Sequence, residues 1–343
     1  MRFRLCVILL FALLISACTN KNRFAIDTGG SSLTVKINRF DKDFFALDTL
    51  NIAVGIPVLQ EKYPAFFPFY TQHILQIGTP DSLGFYDKTR RFLTTSYIRD
   101  AYEESQCQFA DVSDIEAKLT VAFRYLQHYF PKMTVPQVYM HVSGFNSSII
   151  IAPDFMSASI DNYLGADYLA YSLMEIYAYE RYNMRREKVA SDLVRGWIST
   201  EFVPEPSDVL LDNMIHWGRL MFLLEIIMPS ESEATLAGYS AEQMSFVKKN
   251  EKAIWAAFLD GGTQRQRLLF SNDRMNVVRY IQPAPFSLGM PETDEMQTPG
   301  QIGVWVGWQI VRQYMKKNPE ITMPQLMQET NFQKILEGSK YRP

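Results

Sequence analysis

Apolar residues recur along this chain with periods that predict most of its architecture. Leu33, Val35 and Ile37 alternate with Thr34, Lys36 and Asn38, the pattern of a half-buried strand. From Ser113 the period changes: Ile115, Leu119, Ala122, Leu126 and Tyr129 share one face of a predicted helix. Ser113 and Glu116 have the spacing of a capping box at its start, and Pro131 and Pro136 end it. Three short runs follow, QVYMHVS (137–143), SSIIIAP (147–153) and SASIDNYLG (157–165), which predict a small meandering sheet. Beyond Tyr168 the pattern is helical with breaks. Residues 187–202 (EKVASDLVRGWISTEF) form one predicted helix, closed by Pro204 and Pro206. Leu210, Met214, Trp217, Met221, Leu224 and Met228 continue one helical period up to Pro229. Ser240 with Gln243, Thr298 with Gln301 and Thr322 with Gln325 predict three more capped helix starts, with Pro299 in a first helical position. The expected class is α+β, predominantly α-helical, in a single domain over 33–343.

The N-terminus obeys another pattern. Arg2 and Arg4 precede an apolar run from Leu5 to Ile15. Those eleven residues, at about 1.5 Å each, fall short of a hydrocarbon core of about 30 Å. The run therefore predicts a signal peptide, residues 1–17. Ile15-Ser16-Ala17-Cys18 resembles a bacterial lipobox, with cleavage between Ala17 and Cys18 and acylation of Cys18 as the lipid anchor. Residues 18–32, polar and ending in Gly29-Gly30-Ser31-Ser32, predict a flexible tether. The expected location is the outer membrane, lipid-anchored and facing the periplasm.

Composition and charge then narrow the chemistry. A net charge of −3 without a basic stripe gives no reason to expect nucleic acid as a partner. Cys107 is the one thiol expected in the mature chain, so it has no internal disulfide partner and reads as a small buried hydrophobe. The four histidines, His73, His128, His141 and His216, are too far apart in sequence for HExxH or HxH, and no CxxC, GxSxG, Walker loop or GxGxxG is present. No cofactor or metal is expected. Asp212 lies one turn before His216 and is positioned to pair with it, whereas Glu225 falls on the opposite side of that helix. Glu103-Glu104 and Asp41 with Asp43 read as solvated carboxylate pairs. Gly303 and Gly307 stand one turn apart in PGQIGVWVGWQIVRQYMKKNP (299–319), a stretch too polar to span a membrane. This predicts a central core helix with a partner backbone pressed against it, its polar side carrying Gln309, Arg312, Gln313 and Lys316.

Seven blocks, in order, resemble the gliding-motility lipoprotein GldB family of Bacteroidetes: RFDKDFF, KYPAFFPFYTQHILQIG, SIDNYLG, LLDNMIHWGRLMFLLEIIMP, NEKAIWAAFL, PAPFSLGMP and PGQIGVWVGWQIVRQYMKKNP. The resemblance implies an envelope lipoprotein of gliding motility, and a distant similarity to predicted zinc-dependent proteases of zincin-like fold. In such enzymes a small sheet precedes an HExxH helix, and a later helix supplies an acidic ligand. Here the strands at 136–164, the helix with ASDLVRGWISTEF and the helix with HWGRLMFLLE keep that order, with Glu225 near the acidic place, but the first helix lacks histidine. The reading that follows is a zincin-like shell without its metal: a non-catalytic accessory or scaffold in motility or envelope assembly, held to the membrane by its lipid and working with an envelope protein partner. The alternative is an atypical zincin-like metallopeptidase built on His141, His216, Glu175 or Glu225. A solute-binding lipoprotein ranks below both, because no repeated α/β pattern builds two lobes.

Overall fold

A computed structural model describes residues 23–260, 267–291 and 297–343. The signal peptide, Ala17 and Cys18 lie outside the described residues. The chain divides at Ser31/Ser32. Within 23–31 a short turn is closed by the amide of Gly29 on Asp27 Oδ1 at 2.8 Å.

Among the described residues after Ser32, the first elements are β1 (Ile37–Asn38) and helices α1 (Phe40–Phe45), α2 (Ile52–Lys62), α3 (Phe66–Phe69), α4 (Phe85–Thr94), α5 (Ser96–Gln108) and α6 (Ser113–Tyr129). A π-helical turn, Tyr70–Ile74, extends α3. Strands β2 (Gln137–His141), β3 (Ile149–Ile151) and β4 (Phe155–Ser159) follow. The rest is helical: α7 (Leu169–Leu173), α8 (Ala178–Arg181), α9 (Val189–Glu201), α10 (Leu210–Ile227), α11 (Glu233–Ala237), α12 (Ala241–Lys249), α13 (Glu251–Asp260), α14 (Arg274–Ile281), α15 (Ile302–Lys317), α16 (Met323–Gln328) and α17 (Phe332–Ser339). The fold is α+β and predominantly helical.

The sheet has the order β1-β2-β4-β3 and is not the meander expected. β2 lies parallel to both β1 and β4, and only β3 and β4 form an antiparallel hairpin. The last strand also begins earlier, at Phe155, and it ends at Ser159 because Ile160–Asn162 turn into a 3-10 helix. Strand β1 is short for a definite reason. Val35 and Ile37 point inward as the alternation predicts, but their amides donate to Thr120 Oγ1 and Glu116 Oε1 on α6 (2.9 and 3.0 Å). Glu116 is thereby committed to the strand, and Ser113 binds Asp111, so the capping box predicted for α6 does not form.

One face of the sheet carries Tyr139, His141 and Phe155 against an aromatic cluster of Phe40, Phe44, Phe66 and Tyr70. Phe40 meets Phe66 and Tyr70 edge to face, 4.9 and 4.7 Å between centroids, an arrangement worth about 1 kcal/mol per pair beyond burial. Helix α9 packs on the other face, where Gly196 admits Ile149 and Ile151. Asp41, expected in solvent, is 1% exposed. Its carboxylate takes two bonds from the Arg39 guanidinium (2.9 and 2.6 Å) and one from Gln106, which offsets the loss of water.

The centre of the C-terminal half is the α10–α15 pair. A Cβ on Gly307 would lie 1.8 Å from the carbonyl oxygen of Met214, and one on Gly218 would lie 2.3 Å from the carbonyl carbon of Gly307. Backbone touches backbone, as the Gly303 and Gly307 spacing predicts. Gly218 supplies the matching half of the contact. The start of α15 differs from expectation. Gln301 is its cap residue in a left-handed conformation (φ 58°), and the Thr298 hydroxyl turns away to Pro291 O. Gly300 explains the shift: its Cα is pressed so closely on Ala284 that a Cβ would stand 2.1 Å from that carbonyl oxygen. The capping boxes at Ser240 and Thr322 form as predicted. No helix among the described residues is long and apolar enough to cross a membrane.

Candidate functional site

Histidines and carboxylates that could do chemistry are dispersed. His141 is wholly buried at the end of β2, its Nδ1 2.6 Å from Ser157 Oγ and its ring between Phe66 and Tyr70. Burial pushes its pKa down to about 3, so the ring is neutral. Next to it lies a carboxylate that the pattern of the sequence does not single out. Asp161 is fully buried and accepts from the amides of Ser143 (3.1 Å) and Phe145 (2.7 Å) and from Ser159 Oγ (2.5 Å). Those bonds fix a turn in which Gly144 and Phe145 both have positive φ (70° and 68°). Burial raises the Asp161 pKa against the pull of these donors. Asp161 is thus the staple of the β2–β3 loop.

His216 does not pair with Asp212. The Asp212 carboxylate accepts instead from Ser207 Oγ at 2.6 Å, which turns it toward the chain preceding α10. The Nδ1 of His216 is buried without a partner, and burial together with the nearby Arg219 lowers its pKa to about 4. It lines a cleft of about 380 Å³ with Pro206, Asn213, Arg274 and Phe332. Glu225 is committed elsewhere: one oxygen accepts from Trp308 Nε1 and Arg312 Nε, both at 2.8 Å. Arg312 also pairs with Glu233 at 2.7 Å and lies 4.1 Å over the Trp308 ring. Glu175 is exposed, at a positive φ of 58° after α7. The residues of the metallopeptidase alternative therefore do not converge. Among the described residues, no group of three or more His, Cys, Asp and Glu could hold a metal ion.

Cys107 corrects another expectation, being exposed. The inward face of α5 is Ile98, Ala101 and Ser105; Cys107 follows Ser105 by two positions and so turns to the opposite side of the helix.

A broad cleft lies in the helical half. Its volume is about 530 Å³, and it is walled by residues 178–183, the α11–α12 junction, Pro283 to Pro285, and the chain entering α15. Its floor continues into a narrow slot of about 10 Å³ lined by Arg195, Met221, Tyr239, Gln301, Trp305 and Trp308. Cleft and slot share Ala237, Tyr239 and Gln301. Tyr239 is fixed by its hydroxyl on Gly300 O (2.9 Å), and Gln301 by its amide on Ile281 O (3.1 Å). At the start of α9, Lys188 is 3% exposed and donates to Asp192 (3.0 Å) and Thr235 O (2.9 Å).

No curated protein and no solved structure matches this chain. A family profile does: "Gliding motility protein GldB" matches residues 21–343, nearly the whole sequence. The chain therefore belongs to the gliding-motility protein GldB family of lipoproteins.

Proposed function

We propose that this protein is a lipoprotein of the outer membrane, facing the periplasm, anchored through an acylated Cys18 and acting as a non-catalytic accessory or scaffold in motility or envelope assembly. The observation that carries this reading is the family match, which begins at residue 21, three residues beyond Cys18. The polar stretch to Ser32 gives the folded body room to stand off the bilayer: about 14 residues reach at most about 50 Å. The non-catalytic part rests on the commitments of the polar groups. Glu225 neutralises Arg312 and orients Trp308, and Asp161 and His141 hold the β2–β3 loop and the sheet. A scaffold also needs a surface for a partner. Leu169, Leu173, Met174 and Tyr177 are 68%, 74%, 48% and 68% exposed within one short segment, an apolar patch suited to an envelope protein.

The test is complementation in the native bacterium. Cys18→Ala is expected to move the protein from the membrane to the soluble fraction and to abolish rescue of a deletion strain. Glu225→Gln is expected to rescue fully. Loss of rescue by Glu225→Gln at normal protein level would point to chemistry at that carboxylate and contradict the non-catalytic reading.

A further inference from the structure

The slot beside the cleft contains a cation without an ion-pair partner and a buried hydrogen-bond donor without an acceptor among the described residues. Arg195 projects from α9, with its guanidinium carbon 5.4 Å from the Trp217 ring centroid. Among the described residues no carboxylate lies within ion-pair distance of it, and Asp192 acts on it only from farther away. Asp192, one turn earlier, is taken by Lys188 and by the Tyr163 hydroxyl (3.1 Å), and Glu225 and Glu233 are taken by Arg312. Trp305, on α15, is 3% exposed, and its Nε1 has no acceptor. The other tryptophan of the slot, Trp308, shows the contrast, because its Nε1 has Glu225. A buried donor without an acceptor costs free energy, and the half-buried Arg195 beside it supplies positive charge. Trp305 lines the slot, where a bound group can supply the missing acceptor. Gln301, on the shared wall, keeps a left-handed backbone that a non-glycine residue rarely adopts, a second cost at the same place.

Slot and cleft also fit in size. The slot volume of about 10 Å³ is close to the minimum that holds one water-sized polar group. The cleft above it, about 530 Å³, is in the range of small-molecule and peptide pockets. Its walls carry the flat faces of Tyr179, Tyr182, Pro283, Pro285 and Pro299. Asn183 adds one acceptor: its Nδ2 donates to Gly238 O (3.1 Å), and its Oδ1 has no donor. Glu180 lies on the same wall and is exposed to solvent.

We propose that the cleft binds a ligand ending in a carboxylate, which enters the slot and accepts from the Arg195 guanidinium and Trp305 Nε1, while a short apolar body lies on the tyrosine and proline walls. A peptide C-terminus and a small organic acid share this chemistry. A carboxylate satisfies the need for charge and acceptor together, whereas a neutral amide satisfies neither fully. This site goes beyond the scaffold reading and does not depend on the anchor.

The experiment uses the full chain in detergent, with calorimetric titration and thermal unfolding. The probes are N-acetylphenylalanine, N-acetylphenylalaninamide and the dipeptide Ala-Phe with a free C-terminus. At least one acid is expected to bind and to raise the unfolding midpoint by about 4 °C at saturation, and the amide to do neither. Binding by Ala-Phe alone shows that a free peptide amine is read as well, and binding by N-acetylphenylalanine that an acylated amino acid suffices; each supports the carboxylate site. Arg195→Met is expected to abolish binding while leaving the ligand-free midpoint unchanged or higher, since a purely structural arginine would lower it. Should that variant unfold, Trp305→Phe keeps the ring and removes only the N–H, and a loss of about tenfold in affinity is expected. Equal binding of acid and amide, no binding by either acid, or unchanged affinity in the variants would overturn the proposal.

Discussion

Two buried polar centres of this protein are built on opposite principles. At the sheet end, the Asp161 carboxylate has three donors, two from backbone amides and one from a hydroxyl, and the loop it holds is closed. At the junction of α9, α10 and α15, among the described residues, the Arg195 guanidinium has no ion-pair partner, the indole of Trp305 has no acceptor, and a cleft opens beside them. Asp161 and Trp305 are both buried, so both lose hydration on folding. The first recovers it inside the chain. The second does not, and an incomplete centre next to a cavity is where an outside group completes the account. The difference separates a polar group that builds the fold from one that waits for a ligand.

Mutations can break this comparison. The largest effect is expected in the frame that carries the second centre. Gly307→Ala places a Cβ 1.8 Å from a carbonyl oxygen, so α10 and α15 must separate; a loss of about 4 kcal/mol or more, or failure to accumulate folded, is expected in denaturant unfolding. Asp161→Ala strands two amides and should cost about 3 kcal/mol by the same measurement, with new protease sensitivity around Gly144.

Acid comes next. The folded pKa values of His141 and His216, about 3 and about 4, lie below the ordinary 6.5. Between those values the unfolded chain binds more protons than the folded one, so stability is full above pH 6.5 and is lost as pH falls. Each ring contributes a slope of up to about 1.4 kcal/mol per pH unit. Asp161 opposes this weakly: its raised pKa makes the folded chain hold its proton longer than the unfolded one, a contribution that fades as pH rises past the ordinary carboxylate range. His141→Gln should reduce the slope of stability against pH between 6 and 4.5. Glu225→Gln, in a partly exposed ion pair, should cost only about 1 kcal/mol, and Cys107→Ser, on the surface, less than about 0.5 kcal/mol.

Sequence revealed the first of these layers and little of the second. Periodicity located α6, α9, α10 and α15, and the glycine spacing on α15 announced its backbone contact, because local patterns record which face is buried. From α1 to α3 the phenylalanines and tyrosines are dense and Pro57, Pro64 and Pro68 interrupt the period, which hides it. Helices α4 and α5 have no proline, and Phe85, Thr89 and Leu93, then Ile98, Ala101 and Ser105, do recur at helical spacing, but with too few large apolar residues to stand out. The sheet order escaped for a related reason: β1 and β2 pair in parallel across a hundred residues of helix, a separation that leaves no trace in neighbouring positions. Capping boxes held at Ser240 and Thr322, where both residues are free to bond each other. They failed at Ser113 and Thr298, where Glu116 and the Thr298 hydroxyl had distant partners. Of the candidate residues, Glu225 was visible but its partner Arg312 was not, and Asp212 with His216 was misread because Ser207 competes. Arg195 and Trp305 gave no signal at all. Their significance lies in what fails to pair with them, and that is a property of three dimensions.

The proposed function is that of a body hung from lipid that binds and does not catalyse with a metal. Native mass spectrometry of the protein extracted from its membrane tests that most directly. The predicted mass is that of the chain from Cys18 onward plus acylglycerol, with no metal. An unacylated chain, or one zinc per molecule, would contradict it.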